Sequence, residues 1–114
     1  MTNCNCKKTD NNIYRGTTPT IILKITNKDF DMSTISICHI TIQNETGRNK
    51  KIYENPSIDT ENKTISIELS QEDTLNYEIG NINLQVKIKL DSGRVIASRI
   101  ITTSMNKILE EQIL

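Results

Sequence analysis

Residues 82–97, with the sequence INLQVKIKLDSGRVIA, decide the fold that we predict for this chain. Apolar and polar residues alternate along the first half of this stretch, with the apolar ones at Ile82, Leu84, Val86, Ile88 and Leu90. A side-chain period of two is typical of a β-strand with one buried face. The segment DSGR then supplies a glycine that can adopt the positive φ of a tight turn, and a second apolar run continues through residues 95–101. The stretch therefore predicts a β-hairpin.

Further strands are predicted on the N-terminal side of the hairpin. Patterns typical of strands occupy residues 20–26, 34–43, 50–54 and 64–69. In the first of these, Ile21, Leu23 and Ile25 share one face. The second is β-branched almost throughout, but its apolar side chains change face partway, which indicates either a β-bulge or a strand covered on both faces.

Residues 70–75 change from the strand period to a helical turn. Ser70 stands at the N-cap position with Asp73 three residues later, and Leu75 is expected to enter the core. We interpret Glu72 and Asp73 as first-turn carboxylates that suit the helix dipole. A catalytic pair is disfavoured, because acid–base chemistry needs two carboxyl groups held apart in differently tuned surroundings.

Six or seven short strands joined by Gly, Asn and Asp turns predict an all-β fold, an immunoglobulin-like antiparallel β-sandwich, with a small β-barrel as the alternative. We expect residues 13–114 to form this single domain. Residues 1–12 are polar and lack periodicity, so they are expected to form a flexible N-terminal arm. At the other terminus, helical spacing predicts a short amphipathic segment through Ile108, Leu109 and Ile113.

Charge and composition narrow the classes of function. The 114 residues include 14 basic and 14 acidic ones, so the net charge is zero. The chain therefore has no overall positive field that would attract nucleic acid or an anionic membrane. No apolar run approaches the ~20 residues that span a bilayer. Aromatic residues make up only 4% of the chain, which disfavours glycan binding by stacked rings. We expect synthesis in a cytosol, where the three cysteines would be free thiols.

Cysteine and histidine are the candidates for chemistry, and we predict neither a metal site nor a cofactor. Cys4 and Cys6 form a Cys-x-Cys pair in the arm, but a structural zinc site needs four ligands. Cys38 and His39 are neighbours on a predicted strand and therefore point to opposite faces. We interpret Cys38 as a small buried residue and His39 as a polar strand position. No nucleophile, base and orienting group can be assembled from the sequence, so no enzyme is predicted.

Four segments carry a resemblance to a known family, namely YRGTTP at residues 14–19, LSQEDTL at 69–75, LQV at 84–86 and SGRVIAS at 92–98. Together they resemble a family of small virion proteins encoded by tailed phages and prophages of Firmicutes, especially clostridia. The sequence is also similar, more loosely, to the N-terminal Ig-like domain of phage baseplate upper proteins. The resemblance covers residues 13–114, and the arm with Cys4 and Cys6 lies outside it.

The resemblance implies a non-enzymatic structural component of a phage virion, assembled in the cytoplasm of the host bacterium. We expect an adaptor or accessory subunit of the tail or baseplate. A capsid decoration protein is the alternative, and a host-surface or glycan-binding module is a further one. The partners would be other virion proteins and further copies of the chain in a homo-oligomer or symmetric repeat, without nucleic acid or membrane. Assembly contacts are predicted in the two termini, at Cys4, Cys6, Arg15, Ile108, Leu109 and Ile113.

Overall fold

Ten β-strands and one α-helical turn are present in a computed structural model that describes residues 5–8 and 12–114. In chain order the strands are β1 (Cys6–Lys8), β2 (Ile13–Tyr14), β3 (Thr20–Ile25), β4 (Ile35–Asn44), β5 (Lys51–Tyr53), β6 (Ser57–Asp59), β7 (Thr64–Glu68), β8 (Gly80–Leu90), β9 (Val95–Ala97) and β10 (Ile101–Asn106). A 3-10 turn at Met32–Thr34 precedes β4, and helix α1 (Gln71–Asn76) joins β7 to β8. Helix α1 begins at its predicted N-cap, because the Ser70 side chain accepts a hydrogen bond from the backbone N–H of Asp73 at 3.0 Å.

The strands form two sheets that pack face to face. One sheet has the order β1-β3-β7-β6, and the other has the order β2-β10-β8-β4-β5 with β9 also paired to β8. This is the immunoglobulin arrangement of two opposed sheets, with the start of the chain divided between them as β1 and β2. The predicted immunoglobulin-like β-sandwich is confirmed. The strand count exceeds the six or seven predicted because β1, β2 and β6, of two or three residues each, are too short to show an alternation.

The predicted hairpin supplies the centre of the core. Its long strand, β8, buries Ile82, Leu84, Val86 and Ile88, each of which is 0% exposed. The four-stranded sheet contributes the inward residues of β3 and β7 to the same cluster, namely Ile21, Leu23, Ile25, Ile65 and Ile67. Complete burial of an aliphatic side chain contributes about 1.5–3 kcal/mol, so these two layers are the main source of stability.

Two β-bulges interrupt the six-stranded sheet. The run predicted as one return strand is divided into β9 and β10 by the first bulge. Ala97 pairs with Lys87 and Ile101 pairs with Leu84. Residues 98–100 therefore lie opposite only two residues of β8, 85 and 86. At this bulge the Ser98 hydroxyl accepts a hydrogen bond from the backbone N–H of Val86 at 3.0 Å. The second bulge is the register shift at the start of β4, which confirms the bulge as the reason for its change of apolar face.

The N-terminal residues correct one prediction. Residues 1–12 are predicted as an arm outside the core, but Cys6–Lys8 form β1, which pairs with β3, and Cys6 is only 2% exposed. The prediction is therefore wrong for β1. A three-residue strand with one apolar side chain is too short to show an alternation of apolar and polar residues. It forms by pairing with the edge of β3, which is more than a dozen residues away in sequence. Cys4 lies outside the described residues.

The prediction that Leu75 enters the core is wrong, and the helical spacing of the C-terminal segment does not produce a helix. Residues 107–114, called the C-terminal tail below, contain no helix in the structure. Eight residues are too few to hold an isolated helix, and the tail takes its contacts from the side chains of Arg15 and Gln71 instead. Leu75 stays only partly buried. The adjacent Thr74 is 0% exposed and enters the core, and its hydroxyl donates to the Gln71 carbonyl oxygen at 3.0 Å.

Candidate functional site

Arg15 lies directly after β2, where the chain turns at Gly16 with a φ of +74°. Its guanidinium donates from Nε to the carbonyl oxygen of Tyr77 at 3.0 Å and from Nη2 to that of Leu75 at 2.8 Å. These carbonyls lie at the end of α1, where backbone acceptors lack partners within the helix. A third contact, from Nη1, joins the carboxylate of Glu111. Arg15 thus connects the start of the domain to α1 and to the C-terminal tail.

The C-terminal tail is fixed to the domain on one side and exposed on the other. Besides the Glu111 contact, the backbone N–H of Leu114 donates to Oε1 of Gln71 at 2.9 Å. On the outer side, Leu109 is 96% exposed, Ile113 58% and Leu114 91%. Three large apolar side chains are thus exposed on a segment that polar contacts hold in place.

The structure brings together most of the residues predicted as assembly contacts. Arg15 lies against the tail that carries Ile108, Leu109 and Ile113. The Arg15 side chain is only 21% exposed and donates to acceptors within the chain, so it positions the tail. Cys6 is buried in the core and takes no part in this surface, and Cys4 is outside the described residues.

A second cluster of polar side chains joins β5 to α1. The Nζ of Lys51 lies 2.8 Å from Oδ1 of Asp73, and the Tyr53 hydroxyl donates to Oδ2 of the same carboxylate at 3.3 Å. The hydroxyls of Tyr53 and Tyr77 are also 3.3 Å apart. Either hydroxyl could be the donor in this last bond. The Lys51 Nζ lies 5.0 Å from the centre of the Tyr53 ring, within the range of a cation–π contact.

The two tyrosines of this cluster are poor acids. Burial raises the pKa of Tyr53 well above the ordinary value, and its hydrogen bond with Tyr77 and the charge of Asp73 act in the same direction. Burial also raises the pKa of Tyr77, an effect that its hydrogen bond with Tyr53 opposes and the charge of Asp73 reinforces. Both phenols are protonated at neutral pH, so each of them has a proton to donate in a hydrogen bond.

The cluster has the composition of a structural network that fixes α1 against β5. Beside it lies a cleft of about 220 Å³, below the ~300–1,000 Å³ usual for small-molecule sites. From sequence, Asp73 is expected only as a first-turn carboxylate, and its partners Lys51, Tyr53 and Tyr77 are missed. The one local signal is Tyr77, an aromatic residue directly after the helical turn.

Cys38 and His39 take the positions expected of them. Cys38 points into the core and is 4% exposed, which confirms its interpretation as a small buried residue. His39 lies on the opposite face of β4, across from Lys87 of β8. Among residues 5–8 and 12–114, no three His, Cys, Asp or Glu side chains are grouped so that they could hold a metal ion. In the same part of the chain, no helix has the length and apolar character needed to cross a membrane.

Comparison with known proteins adds information on the fold alone. No protein-family model matches the sequence, and no curated protein matches it. The structure resembles a polysaccharide deacetylase from Bacillus cereus with a TM-score of 0.58 at 11% identity, over 90% of this chain, which spans 30% of the deacetylase chain. It resembles CopC from Methylosinus trichosporium with a TM-score of 0.53 at 10% identity, over 92% of this chain and 97% of CopC. AggA, a fimbrial subunit from Escherichia coli, has a TM-score of 0.34 at 16% identity, over 94% and 96% of the two chains, which is too low to support an argument.

Proposed function

We propose that this chain is a non-enzymatic structural subunit of a tailed-phage particle, acting as an adaptor or accessory protein of the tail or baseplate. The proposal combines the sequence resemblance to small virion proteins with one structural observation, the tail that Arg15 holds with its apolar side chains outward. A subunit that repeats in a particle needs such surfaces, because each copy must bury apolar area against its neighbours.

Three of the four segments that carry the resemblance have architectural roles in the domain. Residues 14–19 contain Arg15, which contacts the end of α1. Residues 69–75 contain Ser70, the N-cap of that helix. Residues 92–98 form the hairpin turn and the strand that follows it. The resemblance therefore lies in positions that specify this fold.

The tail carries the proposal because it is exposed and fixed at the same time. An apolar segment that is already held pays little ordering entropy when a partner binds. Glu111 and the Leu114 backbone provide the fixed points, whereas Leu109 projects into solvent with 96% of its surface exposed. Such a segment fits a role in contacts between subunits.

Particles induced from a lysogen that encodes this chain test the proposal. We expect mass spectrometry of gradient-purified particles to detect the chain, and cryo-electron microscopy to reveal density for the β-sandwich at the tail tip, baseplate or neck. Particles from the same lysogen with the gene deleted are the matched control and should lack that density.

Each other outcome has a defined meaning. Density for the domain on the capsid lattice would replace the tail assignment with a decoration role. Absence of the chain from the purified particles would overturn the structural role altogether.

A further inference from the structure

The outer face of the six-stranded sheet carries two adjacent rows of side chains beside the hairpin turn. The rows cross β4, β8 and β9, so that each central lysine of β8 has a neighbour on both sides. We call this group the lysine patch. It consists of Ile37, Lys89 and Val95 in one row and His39, Lys87 and Ala97 in the next.

The positive charge of the lysine patch is not neutralised within the sheet. The strands β2, β4, β5, β8, β9 and β10 contain no Asp or Glu. At the rim of the patch, Glu54 directly after β5 lies beside Ile37, and the turn beyond the patch adds one charge of each sign at Asp91 and Arg94. Lys87 and Lys89 are exposed, and neither forms an ion pair with a residue that the structure describes. Exposed apolar side chains flank them. The patch therefore fits a partner that offers both carboxylates and apolar groups.

The C-terminal tail has the complementary composition. Its last six residues, LEEQIL at 109–114, combine two carboxylates with three large apolar side chains. Glu111 is held by Arg15, whereas Glu110 is exposed and forms no ion pair with the described part of the chain. The apolar side chains of the tail are the exposed ones described above. Charge and hydrophobicity thus match between the patch and the tail.

We propose that the lysine patch of one copy binds the C-terminal tail of a second copy. Two patches facing each other would bring two lysines from each copy together, and two tails would bring their glutamates together, so both symmetric contacts are repulsive. The contact between patch and tail pairs opposite charges and packs apolar side chains against each other. It is heterologous and leaves a free patch and a free tail at the ends, so it propagates into rings or linear arrays.

The tail of a chain is held far from its own patch. The tail continues from β10, whose Met105 pairs with Gly80 at the first residue of β8, whereas the patch uses Lys87 and Lys89 near the other end. At ~3.3 Å per residue, Lys87 and Lys89 lie about 23 Å and about 30 Å along β8 from Gly80. Arg15 keeps the tail at the distant end, so the patch must receive the tail of another copy. The inference rests on the proposed structural role, which it deepens by naming the partner and the surfaces.

Sedimentation velocity of the purified full chain over a series of concentrations tests the inference. The sedimentation coefficient should rise with concentration at low ionic strength and rise less when salt is added, because the contact is charged and small. The variants K87E/K89E and E110K should each associate at least about tenfold more weakly than the wild type. K24E/K28E is the matched control, since it reverses two exposed lysines outside the six-stranded sheet, and it should associate like the wild type.

Mixing the two defective variants tests whether one intact patch and one intact tail on different chains are enough for the contact. The K87E/K89E chain keeps an intact tail and the E110K chain keeps an intact patch, so the mixture should regain association. Circular dichroism of each variant should match the wild type. The inference is overturned by a wild type that stays monomeric, by a control that weakens as much as K87E/K89E, or by a mixture that stays monomeric. Such a result leaves the particle experiment to decide the proposed function separately.

Discussion

Arg15 and Glu111, 96 positions apart in the sequence, form an ion pair that joins the two ends of the domain over helix α1. The same guanidinium donates to the carbonyl oxygens of Leu75 and Tyr77. The planar guanidinium has several N–H donors and can bind three acceptors at once. A lysine ammonium at this position could not reproduce the same arrangement of hydrogen bonds. One side chain therefore fixes the start of the domain, the helix end and the tail.

Removing this side chain should destabilise the protein. We expect Arg15→Ala to lower the free energy of unfolding by about 1.5–3 kcal/mol, because charge-assisted hydrogen bonds to partly buried carbonyls are lost. Urea denaturation followed by circular dichroism measures the change. Arg48→Ala is the control, since Arg48 lies 3.7 Å from Glu78 with 77% of its side chain exposed, and its loss should cost less than about 1 kcal/mol. Equal losses for the two variants would refute the role assigned to Arg15.

The tyrosine pair should make the protein sensitive to alkali. Because burial raises the pKa of Tyr53 in the folded state, the unfolded chain loses its phenolic proton first as the pH rises above about 10. The stability that depends on this proton is present below that pH and is lost above it. We expect the free energy of unfolding to decrease above about pH 10 and the decrease to be smaller in Tyr53→Phe. Stability that is independent of pH in this alkaline range would contradict the burial of the phenol.

The centre of β8 should be the most sensitive part of the core. Ile88 is 0% exposed, so Ile88→Ala should lower the free energy of unfolding by about 2–5 kcal/mol through lost burial and the cavity that remains. Ile37 on the adjacent strand is 47% exposed and is the matched control, with an expected loss below about 1 kcal/mol for Ile37→Ala. Denaturant titration compares the two. A loss below about 0.5 kcal/mol for Ile88→Ala would show that β8 is not central.

Deletion of residues 1–8 should destabilise the domain. The deletion removes β1, so β3 loses a hydrogen-bonded neighbour and the core loses the buried Cys6. We expect a lower midpoint of thermal unfolding and faster hydrogen exchange at the backbone of β3. Cys6→Ala is the comparison that keeps the strand and removes only the thiol, and its effect should be smaller. Unchanged stability after the deletion would show that these residues form an arm outside the core.

Regular alternation made much of this fold predictable. Burial of one face imposes a period of two on a strand, which is why the cores of β3, β7 and β8 lie where the sequence indicates them. Local chemistry also located the start of α1, since Ser70 forms its capping bond within the same turn. Even the bulge in β4 has a local sign in the change of apolar face near Ile37.

Features that depend on distant partners were not predictable in the same way. The three residues of β1 and of β6 become strands only because β3 and β7 offer them an edge. The cluster around Asp73 joins it to Lys51 and Tyr53, which are separated from it by 20 or more positions. From the sequence, Arg15 is expected only as an assembly contact. The acceptors of its hydrogen bonds could not be predicted from the sequence, because they lie 60 or more positions away.

The short parallel pairing of β2 with β10 has a mechanical consequence. Ile13 pairs with Met105 and Tyr14 with Asn106, and the Asn106 side chain adds a hydrogen bond to the Ile13 carbonyl oxygen at 3.1 Å. In a parallel pair, the point where the chain enters β2 and the point where it leaves β10 lie at opposite ends. Tension applied between Ile13 and Asn106 therefore loads these bonds in shear, all at once, instead of opening them in succession. The pairing of β2 with β10 therefore helps to keep the sandwich closed under a load along these strands.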